Sequence, residues 1–326
     1  MTDKSLKYYL HKLTHLRRDN KYGGAPHKPI MILSVISNIE TGLIKSNKIF
    51  ITPELVGVFK NLWSNLVESE RHHCIFAMPF YHLRTEAFWE LVAKKGFKNT
   101  VQSKIVMKSF SNLQTAINYA EIDIELYEFL NNKEEREIIK YAVLDKYFSN
   151  SKNNFPTDNG TEYLNNLEND ILNESSEVYK EKLLKLENEL QNEGFEEEKF
   201  IRGNIFKRQV PIIYQNTCAI SRLQINATFN ISLIDACHIV PFSNSYDDTI
   251  TNGISLTPTL HRAFDRGLIS IDDNYCVIIS DKFNENNIES KYSINQFEGK
   301  EILLPKNEKY FPKLKNLNWH RNNIFK

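Results

Sequence analysis

Apolar positions in the first part of the chain recur at helical spacing. Between Ser5 and Arg18, Leu6, Tyr9, Leu10, Leu13 and Leu16 fall close to every 3.6 residues, which predicts an amphipathic helix. The polar, glycine-rich run from Asp19 to Pro26 ends it, since Gly and Pro punctuate regular structure. His27-Lys28-Pro29 then opens a second apolar helix, expected over Ile30 to Thr41. Proline suits a first helical turn, where its missing N–H had no partner anyway. After Thr52-Pro53 a third helix is expected to about Val67, with Leu55, Val58, Phe59, Leu62, Trp63 and Leu66 as its buried stripe. The stretch Ala77 to Thr85 (AMPFYHLRT) reads as a stiff, greasy loop around Pro79. From Ala116 to Phe148 the pattern reads as amphipathic helix and completes a first, mainly helical domain.

The pattern then changes. Ser149 to Thr161 (SNSKNNFPTDNGT) is polar with Pro and Gly and reads as a linker. Glu162 to Phe200 carries Leu at intervals among Glu, Asn and Lys, as a solvent-exposed helical spacer or a dimerisation segment would. Arg202 to Tyr214 predicts another helix. Ile231 begins a strand-like run ending at Asp235-Ala236-Cys237-His238, followed by a polar loop (Ser243 to Thr251), Asn252-Gly253, a second short apolar run, and a helix opening near Pro258. Gly267 to Ile271 and Tyr275 to Ser280 alternate as two strands around an Asp272-Asp273-Asn274 turn. The tail from Lys306 reads as a docked closing segment. The fold class expected is α+β, with boundaries at 1–150, 151–200 (an acidic helical linker) and 201–326.

A chain of 326 residues with 41% hydrophobic and 25% charged residues is long enough for two cored domains. No apolar run approaches the ~18 residues a membrane helix needs, and the first residues lack a signal-peptide apolar core. The four cysteines have no C-x-x-C spacing, which argues against a disulfide framework and a zinc knuckle and for a reducing cytoplasm. Net charge is zero, but it is unevenly spread. Residues 1–100 hold 15 Lys/Arg against 8 Asp/Glu, residues 151–200 hold 5 against 13, and residues 201–326 hold 15 against 12. A basic front fits a phosphate-contacting surface, and an acidic middle would stay off DNA.

The chemistry concentrates between Ile231 and Ile269. A strand, loop, strand and helix bring His238 towards His261 and Asp265, which lie four apart and so share one helix face. A histidine alone on a strand is ordinarily a packed core residue. The ordered set is what points to a hydrolytic metal site, with one imidazole to take a proton from water and a row of N/O ligands for a cation. These residues, with their contexts A-C-H-I-V-P-F, N-G-I-x-L and L-H-x-x-F-D-x-G, resemble the HNH nuclease motif, the ββα-metal finger of many DNA-cutting enzymes. The resemblance makes His238 the general base. It gives Asn252 the task of holding that imidazole or its loop, and makes His261 a metal ligand. Strand alternation places Asp235 on the face of Cys237. A hard cation (Mg²⁺ or Mn²⁺) prefers the carboxylate, so Asp235 is favoured as first ligand with Asp265 as an additional one, and Cys237 as a buried packing residue.

The front of the chain offers a second surface. Flexible glycines before the His27 helix, flanked by Arg17, Arg18, Lys21, His27 and Lys28, suit a phosphate-backbone clamp, because helix N-termini attract anions. Arg71 and Arg84 are further candidates for DNA contact. The runs G-G-A-P-H-K-P-I-x-x-L and M-P-F-Y-H-L-R-T-x-x-F-W resemble the sulfur-binding domain of phosphorothioate-dependent restriction enzymes. That resemblance covers roughly residues 5–150. It implies His27 and Lys28 as backbone contacts and Pro79, Phe80, Tyr81 and His82 as the loop that receives sulfur.

Together these resemblances imply a modification-dependent (type IV) restriction endonuclease. Its partner would be double-stranded DNA carrying a phosphorothioate, with a divalent metal as cofactor. Two other readings stay open: a nuclease reading a methylated base, and a DNA-binding module with an inactive finger. One such site cuts one strand, so a double-strand break needs a homodimer or two binding events.

Overall fold

The computed structural model describes residues 5–102, 109–190, 192–225, 233–286, 290 and 292–326. Ile231 and Ser232, where the sequence places the start of a strand, lie outside the described residues. The architecture is α+β, with many helices and, among the described residues, three small antiparallel sheets. The chain divides into two compact units, residues 1–166 with 190–201, and residues 167–189 with 202–326.

The first unit begins with helix α1 (Leu6–Thr14) and continues through α2 (His27–Glu40), strand β1 (Lys48–Ile49) and α3 (Pro53–Leu66). Next come α4 (Ala77–His82), β2 (Trp89–Ala93), α5 (Lys98–Gln102), α6 (Phe110–Ala116), β3 (Ile117–Ile122), α7 (Ile124–Asn131) and α8 (Lys133–Tyr147). Helix α2 forms the centre. It is buried from Lys28 to Ile39, which explains a sequence apolar on nearly every side. Helix α3 starts where the sequence signals it, with Pro53 in the first turn and Thr52 Oγ1 accepting the N–H of Leu55 at 3.2 Å.

Two expectations fail here. The stretch from Ala116 to Phe148 is not helical throughout, because Ile117–Ile122 is the central strand of a sheet ordered β1-β3-β2. The pairing shifts register, with Val92 opposite Tyr119 and Ala93 opposite Ile117. Asn118 is thus the extra residue of a bulge. The bulge sets the buried Ile117 and Ala120 three positions apart, a spacing that imitates a helix. The stretch around Pro79 is a short helix rather than a loop. The segment read as a linker is partly packed, with Ser151 Oγ donating to Leu66 O at 2.7 Å and Gly160 seated against Val58.

Helices α9 (Glu162–Asn173), α10 (Ser176–Glu189) and α11 (Asn192–Ile213) follow. The stretch expected as an exposed spacer is divided between the units, and within the second unit Leu167, Ile171, Tyr179 and Leu183 are buried. The second unit adds β4 (Asp235–His238), α12 (Phe242–Ser245), β5 (Gly253–Leu256), α13 (Pro258–Asp265), β6 (Ile269–Ile271), β7 (Val277–Ile279) and α14 (Leu314–Asn323). Strands β4 and β5 pair antiparallel, Asp235 opposite Leu256 and His238 opposite Gly253. Glycine is required at 253 because Val210 and Phe206 of α11 crowd its backbone, and a Cβ there would stand 2.6 Å from Val210 Cγ2. Gly267 ends the turn after α13 at φ +69°, with the Ile324 carbonyl where a side chain would go. The tail does dock: Leu317 and His320 of α14 are buried.

Candidate active site and basic cleft

The second unit gathers its reactive side chains around one small cleft of about 260 Å³, lined among others by His238, Phe242, His261, Asp265, His320 and Ile324. His238 stands at the end of β4. Its ring lies flat on Phe206, with centroids 3.9 Å apart and planes 8° apart. Its Nε2 is 2.9 Å from Oδ1 of Asp248, a carboxylate only 2% exposed. Asn252 is fully buried and does not touch the imidazole. Its Oδ1 accepts the Val240 N–H at 2.9 Å, and its Nδ2 donates to the carbonyls of Val240 and Asp247 at 2.9 and 3.0 Å. It therefore ties together the two ends of the loop that carries Asp248, and Asn316 of α14 donates to the same Oδ1 at 3.1 Å.

His261 and Asp265 face each other across one turn of α13, with Nε2 to Oδ2 at 3.3 Å. The other ring nitrogen, Nδ1, is 3.2 Å from Asp235 Oδ2. Strand alternation brings Cys237 to the same helix, its sulfur 3.7 Å from Asp265 Oδ1. One ligand atom each from Cys237, His261 and Asp265 lies within 4.8 Å of the other two, a group able to hold a metal ion. Burial, followed by the charge of Asp265, pushes the Cys237 thiol well above its ordinary range. A soft sulfur ligand suits a hard cation poorly, whereas Asp235 offers an exposed oxygen on the opposite side of the ring. An imidazole nitrogen with a carboxylate beside it fits a divalent cation of the Mg²⁺ or Mn²⁺ type; Asp265 stands at Nε2 and Asp235 at Nδ1, so the two carboxylates flank different nitrogens of the ring.

Two supporting residues escape a sequence reading. Asp248 hides in a polar loop whose Asp247-Asp248 pair has no periodic signal. His320 sits far along the chain, stacked on Phe264 at 3.7 Å, with Nε2 3.0 Å from the Phe264 carbonyl and Nδ1 2.8 Å from Ser270 Oγ. Burial lowers its pKa to about 4, so it is a neutral brace for the end of α13.

The first unit holds a larger cleft of about 650 Å³. Arg17, Arg18, Lys21 and Arg71 line it together with His27 and Lys28. Arg84 does not line it. That guanidinium donates to the Val101 carbonyl at 2.6 Å and lies over the Tyr81 ring. Lys28 is buried, and its ammonium binds Glu86 Oε1 at 2.5 Å and Thr85 Oγ1 at 2.8 Å. His27 is held against Trp63, 2.9 Å from the His73 carbonyl, and burial lowers its pKa to about 4. The floor is therefore close to electrically neutral, and the net positive charge is carried by the exposed Arg17, Lys21 and Arg71 and the half-buried Arg18, set against the exposed Asp19.

Of the four residues expected to receive sulfur, Pro79 and His82 line the cleft, joined by Met78. Phe80 and Tyr81 are fully buried in the core. The helix explains the division: positions 78, 79 and 82 share a face, while 80 and 81 point away. Phe80 packs on Phe76 and Trp89, whose indole N–H donates to the Phe80 carbonyl at 3.1 Å. Tyr22 is a lining residue that the sequence did not mark. It is 63% exposed, in a left-handed conformation, with the Arg71 guanidinium 4.8 Å from its ring.

Residues 218–272 match the family model described as HNH endonuclease. The second unit thus contains an HNH endonuclease domain. Among solved structures, the chain is similar to one titled modification dependent TagI restriction endonuclease, at 18% identity and a TM-score of 0.26. That alignment covers 36% of this chain and 37% of the other, so this chain spans little more than a third of its length. No curated protein matches.

Proposed function

We propose that this protein is a cytoplasmic, modification-dependent DNA endonuclease of the type IV restriction class. Its first unit reads a phosphorothioate in double-stranded DNA, and its HNH domain hydrolyses a phosphodiester nearby. The observation that carries the cutting half is the cleft that collects His238, His261 and Asp265 within one domain. His238 takes a proton from the attacking water, which general-base catalysis requires to be within hydrogen-bond reach. His261 and Asp265 would hold a divalent cation at Nε2, and Asp235, which faces the other ring nitrogen, would join them only on turning toward the ion. When bound, such an ion supplies positive charge to the scissile phosphate and the leaving oxygen. No helix among the described residues is long and apolar enough to cross a membrane.

The reading half rests on a basic rim around an uncharged floor that includes Met78 and Pro79. Phosphate contacts ordinarily position a protein without carrying sequence information. Sulfur alters this because it is larger, more polarisable and less hydrated than the oxygen it replaces. An apolar floor gains by burying sulfur, whereas an ordinary phosphate would lose its water without compensation. Discrimination then has both an attractive and a repulsive part.

The test compares one duplex with and without a single phosphorothioate, measuring affinity by fluorescence anisotropy and cleavage with Mg²⁺ or Mn²⁺. The expected result is tighter binding and faster cutting of the modified duplex. Equal affinity for the two duplexes overturns the sulfur reading, and absence of cutting with either metal overturns the nuclease reading.

A further inference from the structure

Asp248 is a buried carboxylate aimed at the candidate base. Its neighbour Asp247 is consumed in shaping the turn, with Oδ1 accepting the Thr249 N–H at 2.8 Å and its carbonyl accepting from Asn252. Asp248 is what remains to face the ring, at 2.9 Å from Nε2 of His238. It is 2% exposed, in a pocket beside the buried Tyr179, whose hydroxyl pKa is raised by burial and then by the Asp248 charge. Phe206 covers one face of the His238 ring and so restrains its plane. Among the described residues, no hydrogen bond is made by Nδ1 of this ring.

We infer that Asp248 is the positioning residue of the cleavage site: it accepts the Nε2–H of His238 and so leaves Nδ1 as the atom that takes the proton from water. The inference rests on the nuclease reading and deepens it. A carboxylate only accepts hydrogen bonds, so its partner nitrogen must carry the hydrogen, and the neutral ring's one lone pair is then on Nδ1. In the reaction the water oxygen bonds to phosphorus as one of its protons passes to Nδ1. The bond from phosphorus to the leaving sugar oxygen breaks, and that oxygen takes the electron pair. The ring becomes an imidazolium, with Asp248 still ionised against Nε2–H. A buried anion at this distance steadies that cation, as the carboxylate does in the serine-protease triad.

Asp248→Asn tests this with little change of shape. The amide can offer its own N–H to Nε2, which favours the opposite tautomer and removes the lone pair from Nδ1. Nitrogen-15 NMR of imidazole-labelled protein at mildly alkaline pH reads the tautomer, with His238→Gln identifying the resonance among nine histidines. The wild type is expected to be Nε2–H and the Asn variant Nδ1–H. Single-turnover cleavage of the phosphorothioate duplex with Mn²⁺ is expected to slow by ~10²–10⁴-fold in the Asn variant, the range that loss of a general base spans. Its Mn²⁺ affinity by calorimetry and its DNA affinity should stay at wild-type values, which separates positioning from unfolding. An Nδ1–H wild type, or an Asn variant that cuts at the wild-type rate, overturns the inference. Should the wild type cut neither plasmid nor phosphorothioate duplex, the nuclease reading falls, while the tautomer still decides what Asp248 does to the ring.

Discussion

Replacing Gly253 by Ala probes how the scaffold holds the candidate base. Gly253 is the strand partner of His238, and its φ of −118° is open to any residue, so alanine meets no backbone penalty there. The cost is steric. A methyl carbon would stand 2.6 Å from Val210 Cγ2 and 2.9 Å from the Phe206 ring. Non-bonded carbons rest ~3.5–4.0 Å apart, so something must yield by about 1 Å. Overpacking of this size costs ~1–3 kcal/mol. Phe206 is also the ring that lies on His238, and a misplacement of about 1 Å in a catalytic group can slow a reaction by ~10²-fold. Urea unfolding of the second unit can be followed by Trp319, the only tryptophan in that part of the chain. The expected result is a loss of ~1–3 kcal/mol with a matching fall in cleavage rate. Val210→Ala in the same chain makes room for the methyl, so the double variant should be less impaired than the sum of the two. A Gly253→Ala protein as stable and active as wild type, or strict additivity with Val210→Ala, refutes the idea that α11 presses on β5.

Other outcomes follow from the same geometry. Lys28→Ala strands Glu86, 6% exposed, without its cation; thermal unfolding should register ~3–5 kcal/mol of lost stability, and Lys28→Met with Glu86→Leu should recover much of it. His320 titrates near 4 in the folded chain against 6.5 when unfolded. The unfolded state therefore binds more protons in that window, and the His320 contribution is complete above pH 6.5 and is lost as pH falls through 4. The loss should reach up to ~3 kcal/mol, and its pH dependence should vanish in His320→Gln. A chelator should abolish cleavage and leave DNA affinity in place, and His261→Ala should abolish Mn²⁺ uptake measured by calorimetry.

How much of this was readable beforehand depended on whether the information was local. The finger from Asp235 to Asp265 was legible because strand, loop, strand and helix follow one another, and helical spacing alone sets His261 over Asp265. The long helices were legible from their apolar stripes and caps, such as Thr52-Pro53. The sheet in the first unit was not, since the bulge at Asn118 disguises a strand as a helix. Pro79 misled in the opposite direction: at the third position of α4 it needs no hydrogen-bond donor, so what looks like a loop is helical and turns Phe80 and Tyr81 inward. Asp248 and His320 owe their roles to tertiary neighbours, His238 for one and Phe264 and Ser270 for the other. No one-dimensional period encodes those meetings.

The neutralised floor of the first cleft has a consequence for how grip and choice respond to ionic strength. Counter-ions compete with the arginines and lysine at the mouth, so added salt should loosen the hold on any polyanion. They have little to compete for further in, where Lys28 is already matched by Glu86 and His27 carries no charge. Raising salt should then weaken binding to every duplex by a similar factor and leave the ratio between preferred and ordinary duplexes almost untouched.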